Sequence, residues 1–334
     1  MNYNHYIALD WSQKVMAFAR MTGSGSEIKD EKELVSDLRE FKVYLSHLKG
    51  TKILTFEESS GSQWLYTELR DCVDEILVCD PYRNQLLKEG PKTDRIDARK
   101  MVLLLKAGLL KPVFHSGDDF IYLRKLVSGY LDVVRAGVRI KNQRASLLAT
   151  VGKTKVSKLV HRPEDVFVME GIERGVASYE NEKQRYEEEF HRWVRKYPIL
   201  QNLVSIPGIG EIGAVKIAAH VVDIRRFETR QHFWSYSGLV KLERISGGRS
   251  YGRKNPRFCR VLKSVFKSAA MSMLQKRVNH PLRDYYEWLI QQKHLAEYHA
   301  RHALARRIAA ITFGILKAKE KFEVERVVPC NISV

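Results

Sequence analysis

Four acidic residues in this chain have the types and spacing expected of ligands to a divalent metal ion. Asp10 ends the apolar run HYIALD, and Glu58 ends ILTFEE. Asp94 and Asp97 stand three apart in KTDRIDARK. Residues at i and i+3 share one helix face, and neighbouring strands end at one sheet edge, so the four carboxylates can converge. Because oxygen ligands suit Mg²⁺ or Mn²⁺ and such ions assist phosphoryl transfer, the sequence predicts a catalytic Mg²⁺ (or Mn²⁺) site.

Each of these acids also has an ordinary structural interpretation. Asp94 can be the N-cap of a helix, with Asp97 three residues later as in a capping box. Glu58 can simply precede the turn SSGS, and the adjacent Glu57 can be the relevant acid instead. A helix start can be both capped and metal-binding, so the two interpretations of Asp94 and Asp97 are compatible.

The chain is strongly basic, with 57 Lys and Arg against 39 Asp and Glu and a formal net charge of +18. Such a charge favours a polyanionic partner, above all nucleic acid, over a basic surface kept for solubility or for a membrane surface. No apolar run reaches the roughly 18 residues of a membrane span. We therefore expect no membrane partner. The four cysteines form no pair or cluster with zinc spacing, which favours a reducing, cytoplasmic compartment.

The apolar pattern predicts an α/β N-terminal region followed by helices. Strands alternating with helices favour a partly parallel sheet; we expect strands over 4–10, 14–21, 53–57 and 74–80 and helices over 31–48 and 62–70. Helical patterns follow over 117–150 and 164–195. The second of these is rich in charge and fits either a coiled-coil arm that pairs subunits or a single solvated helix.

The segment IPGIG at 206–210 resembles the turn of a helix-hairpin-helix motif. Gly208 and Gly210 would let backbone N–H groups approach a phosphate of a nucleic acid. The alternative is an ordinary turn between two helices, with glycine as a cap.

The basic stretch 238–263 contains a serine with the surroundings of a nucleophile. Ser246 precedes Gly-Gly, which predicts an exposed and conformationally free hydroxyl in a Gly/Ser/Arg-rich loop over 244–256. Nearby cations would stabilise a phosphate under attack; the candidates are Arg249, Arg253 and Lys254. The loop can instead simply wrap a nucleic-acid backbone, and Ser250 lies close enough to compete for the role.

Together these motifs resemble the DEDD transposases of the IS one-ten family, which are related to the Piv DNA invertases. The matching segments are IALD, EESSGS, KTDRIDAR, SIPGIG and SGGRSYG, in this order over nearly the whole chain. Two segments depart from the family: GLVK at 238–241, where relatives often have Gly-Leu-x-Pro, and KNP at 254–256, where relatives often have Lys-x-Gly.

The resemblance implies a RuvC/RNase H-like DEDD domain with C-terminal helices over 1–150, a coiled-coil arm over 151–199 and a mostly α-helical transposase domain over 200–334. It implies Mg²⁺ at the four acids and Ser246 as the nucleophile toward DNA. It also implies donor and target DNA, a structured noncoding bridge RNA from the insertion sequence, and a dimer of dimers whose sites combine two subunits. The compartment would be the prokaryotic cytoplasm, at the nucleoid.

The leading hypothesis is therefore an RNA-guided, Mg²⁺-dependent site-specific DNA recombinase that forms a covalent phosphoserine intermediate. One rival hypothesis is a RuvC-like nuclease or junction resolvase that cuts DNA with metal-activated water. The other rival is a basic nucleic-acid-binding protein without catalytic activity.

Overall fold

The structure is a computed structural model that describes residues 2–83, 93–117, 119–150, 162–275 and 279–324. Packing groups the chain into two compact units, Met1–Gly117 and Asp118–Val334. The domain bounds at residues 150 and 199, which the resemblance implies, stay a prediction.

The described part of the first unit contains one mixed sheet of six strands in the order β3-β2-β1-β4-β5-β6. The strands are β1 (His5–Trp11), β2 (Val15–Thr22), β3 (Ile28–Val35), β4 (Lys52–Glu57), β5 (Glu75–Cys79) and β6 (Pro112–Val113). β1, β4 and β5 run parallel, whereas β2, β3 and β6 pair antiparallel with their neighbours. The predicted α/β layer with a partly parallel sheet is thus confirmed.

The residues from Ile28 to Val35 form a strand, although the apolar spacing predicted a helix over 31–48. This segment pairs with β2 along its length, and helix α1 (Leu38–His47) begins only after the N-cap Asp37. The sequence IKDEKELV is mostly charged and has little apolar period of its own. Its strand conformation is set by antiparallel pairing with β2, which precedes it across the turn at 23–27, and not by an apolar pattern of its own.

Helices cover both faces of this sheet. On one face, α1 and α2 (Ser62–Leu69) pack against an apolar cluster that includes Ile7 and Leu9 of β1. On the other face, α3 (Asp94–Lys106) packs against a second cluster that includes Tyr6 and Ala8. Alternate residues of each strand therefore point to different helices, and this decides which acids share a face.

The described part of the second unit is helical apart from its loops and one hairpin. Its helices are α4 (Asp119–Thr150), α5 (Pro163–Lys196), α6 (Pro198–Val204), α7 (Glu211–Val221), α8 (Arg230–Tyr236), α9 (Arg260–Met273), α10 (Pro281–Gln291) and α11 (Glu297–Ala318), and the hairpin strands are β7 (Leu242–Ser246) and β8 (Arg249–Lys254). The main core lies where α4, α5, α7, α9 and α11 meet. Among the described residues, no helix combines the length and the apolarity that a bilayer crossing requires.

The long helices α4 and α5 pack against each other within the chain. Gly129 and Gly137 of α4 leave room for the rings of Tyr186 and Tyr179, respectively, so the two helices run antiparallel. An ion pair of 2.7 Å joins Arg144 to a glutamate of α5. Helix α5 is therefore not a single solvated helix, and a coiled-coil arm that pairs subunits remains a prediction.

Candidate functional site

The strand register places Asp10 and Glu57, not Glu58, on the sheet face that α3 covers. Asp10 follows Ala8 by two residues and therefore points to the same face. Ala8 pairs with Thr55 of the parallel strand β4, so the same register aligns Asp10 with Glu57. Because Phe56 belongs to the opposite cluster, Glu57 shares its face with Asp10. The adjacent acid that the sequence left as an alternative is thus the one aligned with Asp10.

The Glu58 carboxylate instead belongs to a polar network beside α2. Its Oε2 lies 2.5 Å from Nε2 of His115, whose side chain is only 5% exposed. Nδ1 of the same ring lies 2.8 Å from Oε1 of Gln63, and the Gln63 amide donates to the Ser116 carbonyl. The imidazole also packs against the ring of Tyr66. This network holds Glu58 toward His115.

Thr93, rather than Asp94, caps helix α3. The Thr93 hydroxyl accepts a hydrogen bond from the Ile96 N–H, and its extended backbone is typical of an N-cap. Asp94 and Asp97 lie in the first helical turn, where the helix dipole stabilises negative charge. Neither carboxylate has a hydrogen bond or an ion pair with another described residue. The alternative interpretation of Asp94 as the N-cap is therefore wrong, and both carboxylates stay available for a ligand.

The acids on this face have suitable chemistry for a hard divalent cation, because all their donor atoms are carboxylate oxygens. Asp10 and Glu57 lie on the sheet face that α3 covers, and Asp94 and Asp97 lie on α3 itself. The side chains are not drawn together, however: within residues 2–83, 93–117 and the other described ranges, no three His, Cys, Asp or Glu residues are placed to hold an ion. The predicted metal site consequently stays a prediction.

The Ser246 segment forms a β-hairpin, not the flexible loop that its composition predicted. Ser246 is the last residue of β7 and pairs with Arg249, the first residue of β8. Gly247 and Gly248 form the connection with φ of 56° and 74°, the left-handed conformation that a tight two-residue hairpin turn requires. All residues of both strands are exposed. The hydroxyl is thus exposed as predicted, but the strand pairing fixes its position.

The hairpin distinguishes the two candidate serines. The Ser250 hydroxyl donates to Oε1 of Glu243 at 2.8 Å, whereas Ser246 has no side-chain hydrogen bond to any described residue. Directly opposed residues of a hairpin project from the same face, so Arg249 lies beside Ser246. Arg253 lies opposite Glu243, and Lys254 lies at the base opposite Leu242. Of the three predicted phosphate-binding cations, Arg249 is the best placed.

The base of the hairpin is anchored at Gly238. This residue has a φ of 66°, and a Cβ there would lie 2.5 Å from the ring of Phe258. Gly238→Ala should therefore destabilise the protein by about 1–3 kcal/mol through strain and a clash. Denaturant unfolding measures this loss.

A second glycine provides the matched control for this prediction. Gly314 lies inside α11, and nothing would approach its Cβ within 4 Å. Gly314→Ala should stabilise by about 0.5–1 kcal/mol, because alanine has the higher helix propensity. Equal effects of the two substitutions would contradict the assigned role of Gly238.

The glycines of IPGIG differ in their roles. Gly208 has a φ of 83°, and a Cβ would lie 2.6 Å from the Ala269 carbonyl oxygen of α9, so packing alone requires glycine there. Gly210 precedes α7, and its Cβ direction is open. Lys216, further along α7, lies 5.1 Å from the centre of the Tyr130 ring, and burial lowers its pKa. The segment connects α6 to α7, but a helix-hairpin-helix motif and phosphate binding by Gly208 and Gly210 stay predictions.

The half-buried His220 makes the stability of the second unit depend on pH. Burial first, and then the charges of Arg124, Arg226 and Lys216, lower its pKa to about 4, below the unfolded value of about 6.5. The unfolded state therefore binds the proton first, and stability falls as pH drops from about 6.5 toward 4. We expect a loss of about 1–2 kcal/mol between pH 7.5 and 5 from this residue. Parallel unfolding of wild type and His220→Gln at both pH values measures it; a constant difference would refute this assignment.

Sequence reasoning missed two side chains that position the candidate residues. Thr93 had a usable signal, since a threonine directly before a charged helix start is a common N-cap. His115 had none, because its contact with Glu58 joins residues 57 positions apart.

Models of known protein families match a segment in each half of the chain. A DEDD transposase model of the IS110 group matches residues 7–152. A model described as transposase IS116/IS110/IS902 family matches residues 200–287. A search of curated proteins found no match.

Proposed function

Because the chain belongs to the IS110 family of transposases, we propose that it is a DNA recombinase whose nucleophile is the Ser246 hydroxyl. The hairpin carries this proposal. Ser246 is exposed at the end of β7 beside Arg249, while the competing hydroxyl of Ser250 is bonded to Glu243. A mixed α/β sheet followed by a helical region also fits a DEDD nuclease-like transposase, and a RuvC-like topology is the finer proposal.

Ser246 would act on a phosphodiester of DNA. Its oxygen attacks phosphorus, a bond from phosphorus to serine forms, and one strand end leaves as a free hydroxyl. The serine proton moves to solvent or to a nearby base. The guanidinium of Arg249 neutralises charge on the phosphate oxygens, and Arg253 and Lys254 hold the backbone on either side. Rejoining is the reverse step with a new strand end, so the energy of the phosphodiester is kept.

The acids of the first unit would hold a divalent metal ion, which transposases of the DEDD family typically use. We propose Asp10, Asp94 and Asp97 as ligands of Mg²⁺. For the fourth ligand the strand register favours Glu57, and Glu58 remains the rival candidate. A divalent cation bound there would lower the pKa of an attacking oxygen and offset charge in the transition state.

The partners follow from the same proposal. Donor and target DNA are the substrates, and a structured noncoding bridge RNA from the element is the guide, in a dimer of dimers. The charge of +18 supports polyanionic partners. The hairpin also exposes apolar side chains that a partner would cover, Leu242, Ile245 and Tyr251. Sequencing RNA that copurifies with the chain, and measuring its mass in solution, test these two points.

The decisive experiment looks for a covalent link between protein and DNA. The chain is incubated with Mg²⁺ and DNA carrying the ends of its element, together with transcripts of the flanking noncoding DNA. The reaction is denatured, and labelled DNA that migrates with protein is digested and mapped by mass spectrometry. A phosphoserine-linked nucleotide supports the proposal. Cleaved DNA without any adduct would instead identify a nuclease that uses water.

A further inference from the structure

A cavity of about 210 Å³ opens between α9 and α11 in the second unit, and no residue of the hairpin lines it. Its lining residues are Lys267, Ala270, Met271, Tyr298, Arg301 and His302. Pockets for drug-sized ligands begin at roughly 300 Å³. This cavity is therefore suited to a single ring rather than to a whole small molecule.

Tyr298 leaves an aromatic surface open at the edge of this cavity. The side chain is 59% exposed, and its neighbour Met271 on α9 is 49% exposed. The rings of His299 and His302 lie 5.4 Å and 6.5 Å from the tyrosine ring centre and help to fix its orientation. Exposed aromatic rings of this kind stack on nucleobases without regard to sequence.

The surroundings of the cavity are almost purely cationic. Helices α9 and α11 contain one acidic residue, Glu297, which pairs with Arg301 at 2.8 Å. Their basic residues are Arg260, Lys263, Lys267, Arg301, Arg306, Arg307 and Lys317. Within the part of the chain that the structure describes, neither Lys267 nor Arg306 has a carboxylate at ion-pairing distance. A surface with so little compensating acid attracts the phosphates of nucleic acids.

The lowered pKa of His302 reflects its burial and the same concentration of positive charge. Burial, followed by the charges of Arg306, Lys267 and Lys263, lowers the pKa of His302. The imidazole therefore stays neutral at physiological pH and contributes an aromatic face, while its cationic neighbours remain available for phosphate.

We propose that this pocket binds one unpaired nucleotide of a nucleic-acid strand. The base stacks on Tyr298 in the cavity, and the flanking phosphates contact Lys267 and Arg306. A base-paired duplex keeps its bases stacked on each other and presents none to a pocket of this size. The site is thus specific for single-stranded segments. This inference rests on the proposed function only in taking nucleic acid as the class of ligand.

The test compares the affinity of the full-length chain for single strands and for duplex. Labelled oligothymidylate, oligouridylate and a duplex of the same length are titrated and followed by fluorescence anisotropy. Tyr298→Ala should weaken single-strand binding about tenfold, in the range measured for loss of one stacked base, and leave duplex binding unchanged. Tyr298→Phe keeps the ring and should bind like wild type.

The charge is tested with a matched pair of lysines. Lys267→Gln should lower the salt dependence of single-strand binding by about 0.7 in log–log slope, as expected for one lost phosphate contact. Lys29→Gln makes the same change in net charge on an exposed residue of β3 in the first unit, and should leave the slope unchanged.

The outcomes separate failure of this site from failure of the proposed function. If Tyr298→Ala lowers the affinity for either single strand, the pocket is supported. The strand whose affinity falls shows whether the pocket prefers DNA or RNA. If Tyr298→Ala binds both single strands like wild type, or weakens duplex equally, the pocket is refuted while the recombinase proposal stands. If wild type binds none of the three ligands, both proposals fail.

Discussion

Ser246→Ala is expected to abolish the covalent protein–DNA adduct and to reduce recombination by at least about 10³-fold, because the proposed attacking oxygen is lost and the Ser250 hydroxyl is bonded to Glu243. Ser246 lies exposed at the end of β7 beside Arg249, and alanine fits the same strand position. The fold should therefore persist, which the thermal unfolding temperature checks. Adduct formation is measured on denaturing gels with labelled DNA.

Ser250→Ala provides the matched control for this prediction. The Ser250 hydroxyl bonds to Glu243 within the hairpin, so its loss should cost the hairpin one exposed hydrogen bond and leave the adduct in place. Binding of the same DNA without reaction should be unchanged in both variants. If the adduct survives in Ser246→Ala but disappears in Ser250→Ala, the assignment of the nucleophile must be exchanged.

Local sequence patterns predicted those helices and strands whose apolar residues recur with a regular helical or strand period. Strands β1 and β4 and the helices over 117–150 and 164–195 were predicted close to their observed bounds, because their apolar periods are strong. The hairpin was taken for a loop because its strands are wholly exposed and have no buried face. In that segment the consecutive glycines Gly247 and Gly248 are a usable signal for a two-residue hairpin turn.

The details that decide function depend on contacts between distant residues. Whether Glu57 or Glu58 faces α3 follows from the pairing of β1 with β4, which joins residues 47 positions apart. One residue of shift in this pairing would exchange the two acids between the faces. The cap of α3 is local by contrast, because the Thr93 hydroxyl accepts from the Ile96 N–H three residues later. For Glu57 and Glu58 the sequence contains the right residue types, but only the strand register distinguishes between these two neighbours.

The second prediction with a large expected effect compares the adjacent acids Glu57 and Glu58. The substitutions Glu57→Gln and Glu58→Gln are a matched pair, because each replaces a carboxylate by a nearly isosteric amide. Glu57 is aligned with Asp10 on the α3 face, whereas Glu58 pairs with His115. Glu57→Gln should reduce DNA cleavage by about 100-fold or more, like Asp10→Asn and Asp97→Asn, because each removes a charge that balances phosphoryl transfer. Glu58→Gln keeps the contact to His115 and should retain most activity.

Metal binding gives a readout that does not depend on DNA. Added Mn²⁺ should raise the unfolding temperature of wild type and of Glu58→Gln, since an ion that binds only the folded state stabilises it. The rise should be smaller in Asp10→Asn, Asp97→Asn and Glu57→Gln. If Glu58→Gln instead loses both cleavage and the Mn²⁺ effect while Glu57→Gln keeps them, Glu58 is the ligand. The carboxylate would then have to leave His115 when metal binds, and the face defined by the strand register would not be the metal-binding face.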